Sequence, residues 1–182
     1  CGFGDLASGL VGEGRMAEPR EIIDHICSNI GKDLAFSDKK VLITAGPTYE
    51  AIDPIRFIGN RSSGKMGIAI ALECADKGAD IELILGPTHL ECKHSNINIS
   101  RVESANEMYK LVSSKFKNSD ISIFAAAVSD YTSNEVAKNK IKKIGDRLTI
   151  DLSKTTDILS EMGNSKKDNQ FVVGFALETE NE

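Results

Sequence analysis

What the chain lacks narrows it first. None of its four cysteines (Cys1, Cys27, Cys74, Cys92) stands at C-x-x-C spacing, and the three histidines (His25, His89, His94) form no ligand constellation with them. Neither a structural zinc nor a disulfide framework is expected. No window approaches the roughly 18 uninterrupted apolar residues of a membrane helix, and no basic, apolar, small-residue leader is visible, so a cytoplasmic protein with no membrane partner is the expectation. Positive charge is also short. A net charge of -5 argues against a nucleic-acid partner, because counterion release needs a broad basic face. Any anion must be gripped locally. Finally, no G-x-G-x-x-G follows the first regular strand: "TAGPTYE" (44–50) has one glycine and then a proline, which disfavours an NAD(P)-dependent oxidoreductase.

What is present suits one globular domain of 182 residues, 41% hydrophobic and 27% charged. Residues 1–38 stand apart. "CGFGDLASGLVGEGRMAEP" (1–19) holds five glycines and little periodicity, after which Ile22, Ile23, Ile26 and Ile30 recur at helical spacing behind Pro19. The segment reads as a loop and one helix without a core of its own.

From Lys39 the pattern is regular. "KKVLITAG" (39–46) reads as a buried strand, 63–77 as a helix closed by Gly78, and "DIELILG" (80–86) and "NINISRV" (96–102) as strands. A helix over 105–116 puts Met108, Leu111, Val112 and Phe116 on one side. "ISIFAAAV" (121–128) reads as a strand covered on both faces, "RLTIDL" (147–152) as a half-exposed strand, "TTDILSEM" (155–162) as a short helix, and "FVVGFAL" (171–177) as a last central strand. The cadence is that of a Rossmann-like α/β fold, three layers with a mostly parallel central sheet. Ligands in such sheets bind beyond the carboxyl ends of the strands, here after Thr44, Leu85, Val128 and Ala176. The echo of "AGPT" (45–48) in "LGPT" (85–88) reads as parallel turn chemistry after two neighbouring strands rather than duplication.

"GNRSSGKMG" (59–67) nearly matches the Walker phosphate loop G-x-x-x-x-G-K-[ST], but Met66 replaces the magnesium-binding hydroxyl and the strand ends a dozen residues earlier. What survives is general: Ser62, Ser63 and Gly64 open a helix, where unpaired N–H groups favour an anion. The bland alternative makes the serines ordinary N-caps. The loop before it, "GPTYEAIDPIRFIGN" (46–60), is long enough to suggest function and carries Glu50, Asp53, Arg56 and Asn60. Arg56 suits a phosphate or carboxylate, and Asn60 offers a donor and an acceptor to a developing charge. "KNKIKK" (138–143) is either a solvated charge run or a cationic flap free to close over phosphates. Asp130, directly after a buried strand, is well placed for a ribose hydroxyl.

"VLITAGPTYEAIDPIRFIGNRSSGKMG" (41–67) closely resembles the opening of the phosphopantothenoylcysteine synthetase domain of the bifunctional bacterial coenzyme A biosynthesis flavoproteins, and "AAAVSDY" (125–131), "KNKIKK", "DIL" (157–159) and "VVGFALET" (172–179) follow in the family's order. The resemblance implies a CTP-dependent phosphopantothenate–cysteine ligase: 4'-phosphopantothenate is activated to an acyl-cytidylate with loss of pyrophosphate, and cysteine then displaces CMP. It implies that Asn60 serves the reaction of the acyl-cytidylate, that Arg56 matches a catalytic arginine of the same loop, that Lys140 of the K-x-K-K strap reaches the phosphates, and that Ser62, Ser63, Gly64, Phe124, Ala125, Ala126, Asp130, Thr156, Asp157, Ile158, Leu159 and Phe175 line the nucleotide site. It further implies Mg2+ with the CTP, a homodimer through the ligase domain, and FMN confined to the decarboxylase domain of a longer parent.

Two departures stand out. Thr156 takes the place of the proline in the family's N-P-D-I-L, and Ser8 that of the cysteine acid in the decarboxylase's A-C-G-x-x-G-x-G-R-M. A serine hydroxyl is a far poorer proton donor than a thiol, so no decarboxylation is expected from this chain alone. The expected division is 1–38 as the end of a decarboxylase domain plus linker, and 39–182 as a ligase domain cut short at its C-terminus. The alternatives are an NAD(P)-binding oxidoreductase and a nucleotide-binding module without chemistry.

Overall fold

A computed structural model describes residues 2–5, 11–15, 18–30, 34–143 and 145–177. Before the main body, β1 (Gly2–Asp5) pairs antiparallel with β2 (Val11–Arg15), two strands where a loop is expected, and α1 spans Pro19–Ile30. The expectations for Cys1 and Ser8 fall outside the described residues.

The main body is built on five parallel strands in the order β11-β8-β3-β6-β7. They are β3 (Lys40–Ala45), β6 (Asp80–Leu85), β7 (Ile97–Arg101), β8 (Ile121–Phe124) and β11 (Phe171–Gly174). Alternation along the strands splits the core in two. Val41, Ile43 and Ala45 of β3 join Ile81, Leu83 and Leu85 of β6 beneath α2 (Lys65–Asp76), which buries Ile68, Ala71, Cys74 and Ala75. On the other face Leu42 and Ile84 meet Met108, Val112 and Phe116 of α3 (Ala105–Phe116) and Ile158 and Met162 of α4 (Ile158–Ser165). The three-layer α/β/α expectation thus holds.

Several boundaries depart from expectation for local reasons. Helix α2 starts at Lys65 because Gly64 has φ 76, which a right-handed helix cannot continue through. "FVVGFAL" is not central: among the described residues β11 is an edge strand, and Phe171 is 65% exposed. Ribbon strand β10 (Leu152–Lys154) takes up only the end of "RLTIDL", because its partner β9 (Tyr131–Ser133) pairs with 152–154. β8 stops at Phe124, and the rest of "ISIFAAAV" peels off to stitch loops together. A second ribbon, β4 (Tyr49–Ala51) with β5 (Phe57–Gly59), lies inside the long loop after β3. Buried Cys74 and Cys92 are both free, and burial raises their thiol pKa values.

Candidate functional site

The chain runs outward from β3 to β6 and β7, then returns across the sheet to β8 on the other side of β3. The carboxyl ends of β3 and β8 therefore form a topological switch point, where the flanking loops diverge and leave a crevice. Hydrogen bonds zip these two loops together. The Ala125 N–H donates to the Thr44 carbonyl (3.1 Å), the Ala127 N–H to that of Gly46 (2.9 Å), and the Thr48 N–H to that of Ala127 (3.2 Å). Threonine hydroxyls add two more: Thr44 Oγ1 accepts from the Ala126 N–H (3.3 Å) and Thr48 Oγ1 from that of Ser129 (2.9 Å). Asn60 closes the seam, its Nδ2 donating to the Val128 carbonyl at 2.9 Å.

At the same end α2 presents its N-terminus. Gly64, its N-cap, makes no side-chain cap. The Gly64 and Lys65 N–H groups reach the hydroxyls of Ser62 and Ser63 only at 3.3 and 3.4 Å, and those of Met66 and Gly67 have no acceptor among the described residues. Unsatisfied N–H groups at the positive end of a helix attract an anion. They face a cavity of about 530 Å3 that Ser62, Ser63, Gly64, Gly67 and Ala125 help to line. Glycine is required for this approach. A Cβ on Gly67 would stand 2.5 Å from the Ala45 Cβ, and one on Gly64 3.2 Å from the Gly46 Cα.

Residues 36–182 match the family described as the DNA/pantothenate metabolism flavoprotein C-terminal domain. The chain belongs to that family. All of the chain is 47% identical, over 185 residues, to 52% of a protein of an unknown prokaryotic organism named cysteine/cysteine sulfinic acid decarboxylase. Some 98% of it is 46% identical to 44% of the coenzyme A biosynthesis bifunctional protein CoaBC of Haemophilus influenzae. The chain thus spans about half the length of these curated relatives. Among solved structures, the C-terminal domain of a CoaBC superposes with a TM-score of 0.70 at 42% identity, over 82% of this chain and 69% of the other.

In this flavoprotein-family domain the remaining candidate residues gather at the same end of the sheet. Asp130 is exposed, and its carbonyl accepts from the Thr155 N–H (2.9 Å), which brings the start of α4 beside the loop after β8. There Asp157 is the N-cap of α4, its Oδ1 accepting from the Ser160 N–H at 2.9 Å. Thr156 and Leu159 are exposed on either side, whereas Ile158 is turned into the core. Phe175, half exposed, donates its N–H to the Phe124 carbonyl (3.3 Å); Phe124 itself is buried.

Arg56, which the sequence suits to a phosphate or carboxylate, is engaged within the fold. Its Nη1 lies 3.3 Å from Asp53 Oδ2 and its Nη2 donates to the Ile141 carbonyl at 3.2 Å, inside the lysine segment 138–143. Burial alone would raise the pKa of Asp53, but the N–H groups of Ile55, Ile141 and Arg56 and the Arg56 guanidinium outweigh it and hold the carboxyl below its ordinary value. Lys138, Lys140, Lys142 and Lys143 are all exposed, with no ion pair among the described residues.

Sequence reasoning missed the bracing residues. Thr88 Oγ1 donates to the Ser63 carbonyl (2.7 Å) and accepts from the Leu90 N–H (3.1 Å), so the loop after β6 buttresses the anion loop. The signal was the echo of "AGPT" and "LGPT": β3 and β6 are neighbours, and each motif's threonine ties down another loop. Buried Glu50, whose Oε1 accepts from the Ala105 N–H at 2.8 Å, joins the long loop to the start of α3.

Proposed function

We propose that residues 39–182 form a phosphopantothenate–cysteine ligase domain that uses CTP, and that 1–38 belong to the end of a decarboxylase domain of a longer protein. The observation that carries this reading is the bare N-terminus of α2, its N–H groups turned to a cavity at the switch point beside Ala125. Coenzyme A biosynthesis relatives matched along almost the whole chain supply the substrate class. A solved structure named Cab2 mutant H337A complex with phosphopantothenate-cysteine shares the fold, at 19% identity and a TM-score of 0.66.

In this reading the triphosphate sits at the α2 N-terminus, with Asp130 near the ribose and Lys140 over the phosphates. A carboxylate oxygen of 4'-phosphopantothenate attacks the α-phosphorus, and the bond to pyrophosphate breaks. Charge that spreads onto the leaving phosphates is met by backbone N–H groups and lysine. The cysteine nitrogen then attacks the acyl carbon, the bond to CMP breaks, and the amine gives up its proton. Asn60, held by Val128 beside Ala126, serves this second step.

Among the described residues no group of three His, Cys, Asp or Glu could hold a metal. A magnesium ion accompanying CTP would be held through phosphate and water oxygens and would neutralise charge on the leaving pyrophosphate. FMN belongs, in this reading, to the decarboxylase part of the longer protein. A homodimer through the ligase domain and a cytoplasmic location complete the proposal; the exposed Ile55, Phe57 and Tyr131 supply apolar surface for the dimer.

Pyrophosphate release from CTP with 4'-phosphopantothenate, measured with and without cysteine, tests the reading. Release that needs phosphopantothenate, and CMP that needs cysteine, are expected. Nucleotide binding without release would favour the module without chemistry, and NAD(P)-dependent hydride transfer the oxidoreductase.

A further inference from the structure

Asp53 is 2% exposed, and its two oxygens do different work. Oδ1 accepts from the N–H groups of Ile55 and Arg56, both at 2.9 Å, which folds the turn between β4 and β5. That is the work of an Asx turn, and an asparagine carbonyl would do it equally well. Oδ2 reaches out of the turn. It accepts from the Ile141 N–H at 3.1 Å, and the Arg56 guanidinium that it holds takes the Ile141 carbonyl. One ion pair therefore holds both backbone polar groups of a residue flanked by Lys140 and Lys142. The other attachment nearby is the Ala137 N–H to the Ile52 carbonyl at 3.0 Å.

We propose that Asp53 is a positioning residue: through the backbone of Ile141 it holds the lysine segment 138–143 to the hairpin that follows β3, and so sets where Lys140 meets the nucleotide phosphates. The clasp stands on geometry alone; what the lysines do rests on the ligase reading. Arg56 is then the second half of the clasp. Exposed lysines on long side chains place charge only as well as their backbone is placed.

The test is Asp53→Asn in the full chain. The amide keeps an acceptor for the turn but turns an N–H donor toward that of Ile141 and loses the ion pair. Hydrogen exchange of the 138–143 amides is expected to rise at least about tenfold, with β3 and β6 amides unchanged. The KM for CTP in pyrophosphate release is expected to rise about tenfold, with kcat changed less than about threefold. Parent-like exchange in a folded variant would overturn the clasp, and faster exchange with an unchanged KM would overturn the positioning role. If the parent releases no pyrophosphate, the ligase reading fails while the exchange still decides the clasp. Ile141→Pro, which deletes the N–H from the other side, should reproduce both effects; should Asp53→Asn fail to fold, a parent-like Ile141→Pro overturns the proposal.

Discussion

The start of α2 and the lysine segment 138–143, the two places that meet an anion in the ligase reading, are held very differently. At α2 the charge is the backbone's own, and main chain fixes it from several sides: Gly46, Gly64 and Gly86 bring three loops into contact, and Thr88 props the Ser63 carbonyl. In 138–143 the charge sits on exposed side chains, and the described tethers are the Asp53–Arg56 clasp and one backbone bond. The first site pays no ordering cost when a ligand arrives, whereas the second must order its lysines. In the ligase reading the two become a rigid wall and a loosely tethered wall of one crevice, which admits a triphosphate and then closes on it.

The contrast can be broken most forcefully at its loose wall. Lys140→Ala should lower pyrophosphate release about a hundredfold while leaving the unfolding midpoint alone, because the side chain is exposed and forms no ion pair among the described residues. Asn60→Ala should do the reverse chemically, keeping pyrophosphate release within about threefold and impairing amide formation by a comparable hundredfold. Separate assays of pyrophosphate and CMP decide both.

The rigid wall should answer in stability instead. Gly67→Ala drives a Cβ to 2.5 Å from the Ala45 Cβ, with the β3 backbone behind it, and should cost about 1–3 kcal/mol. For a chain of this size that is a fall of about 2–4 °C in Tm per kcal/mol. Gly163→Ala in α4, where an added Cβ meets nothing within 4 Å, should instead stabilise by about 0.4–1 kcal/mol. Thermal melts of the pair sharpen the comparison, since the same added methyl has opposite signs.

Asp157 stands at the N-terminus of α4. Its capping of α4 predicts a loss of about 1 kcal/mol for Asp157→Ala and recovery of stability in Asp157→Ser, which can also cap. Nucleotide affinity measured on both variants separates the cap from any contact made by the carboxylate; recovery in the serine variant is expected.

The smallest effect at neutral pH is the titration of Asp53. Its folded pKa lies below the unfolded one, so its contribution to stability is fully present above the ordinary aspartate value of about 3.9 and is lost as pH falls through the lower folded value. Unfolding curves taken on acidification should show the parent losing stability over that window relative to Asp53→Asn, with no such difference in slope near pH 7.

Much of this was legible in the chain. Helix α3 lies over 105–116 as its periodicity predicts, because Ser104 caps it and Met108, Val112 and Phe116 fall on one stripe. β3 and β6 follow their apolar runs for the same reason: a strand buried on both faces needs no partner-specific pattern. β11 is as apolar as they are but, among the described residues, lies half exposed at the edge, since composition reports neither a strand's place in the order nor what covers it. The site divided in the same way. The serines and glycine that open α2 were visible as a local signature, but the Arg56 contact with Ile141 was not, because Ile141 is 85 residues away and offers a backbone carbonyl that any residue would carry.

The sequence by itself determined the parallel α/β layering and the family, and named the candidate anion-binding side chains, because periodicity, β-branching and ordered motifs are written in neighbouring residues. Only the tertiary structure decided that β3 and β8 form the switch point, that three glycine-bearing loops touch, and that Asp53 reaches from one loop to hold another. Those are meetings of backbone atoms distant in sequence, and backbone N–H and C=O groups are the same in nearly every residue, so no pattern of side chains announces them.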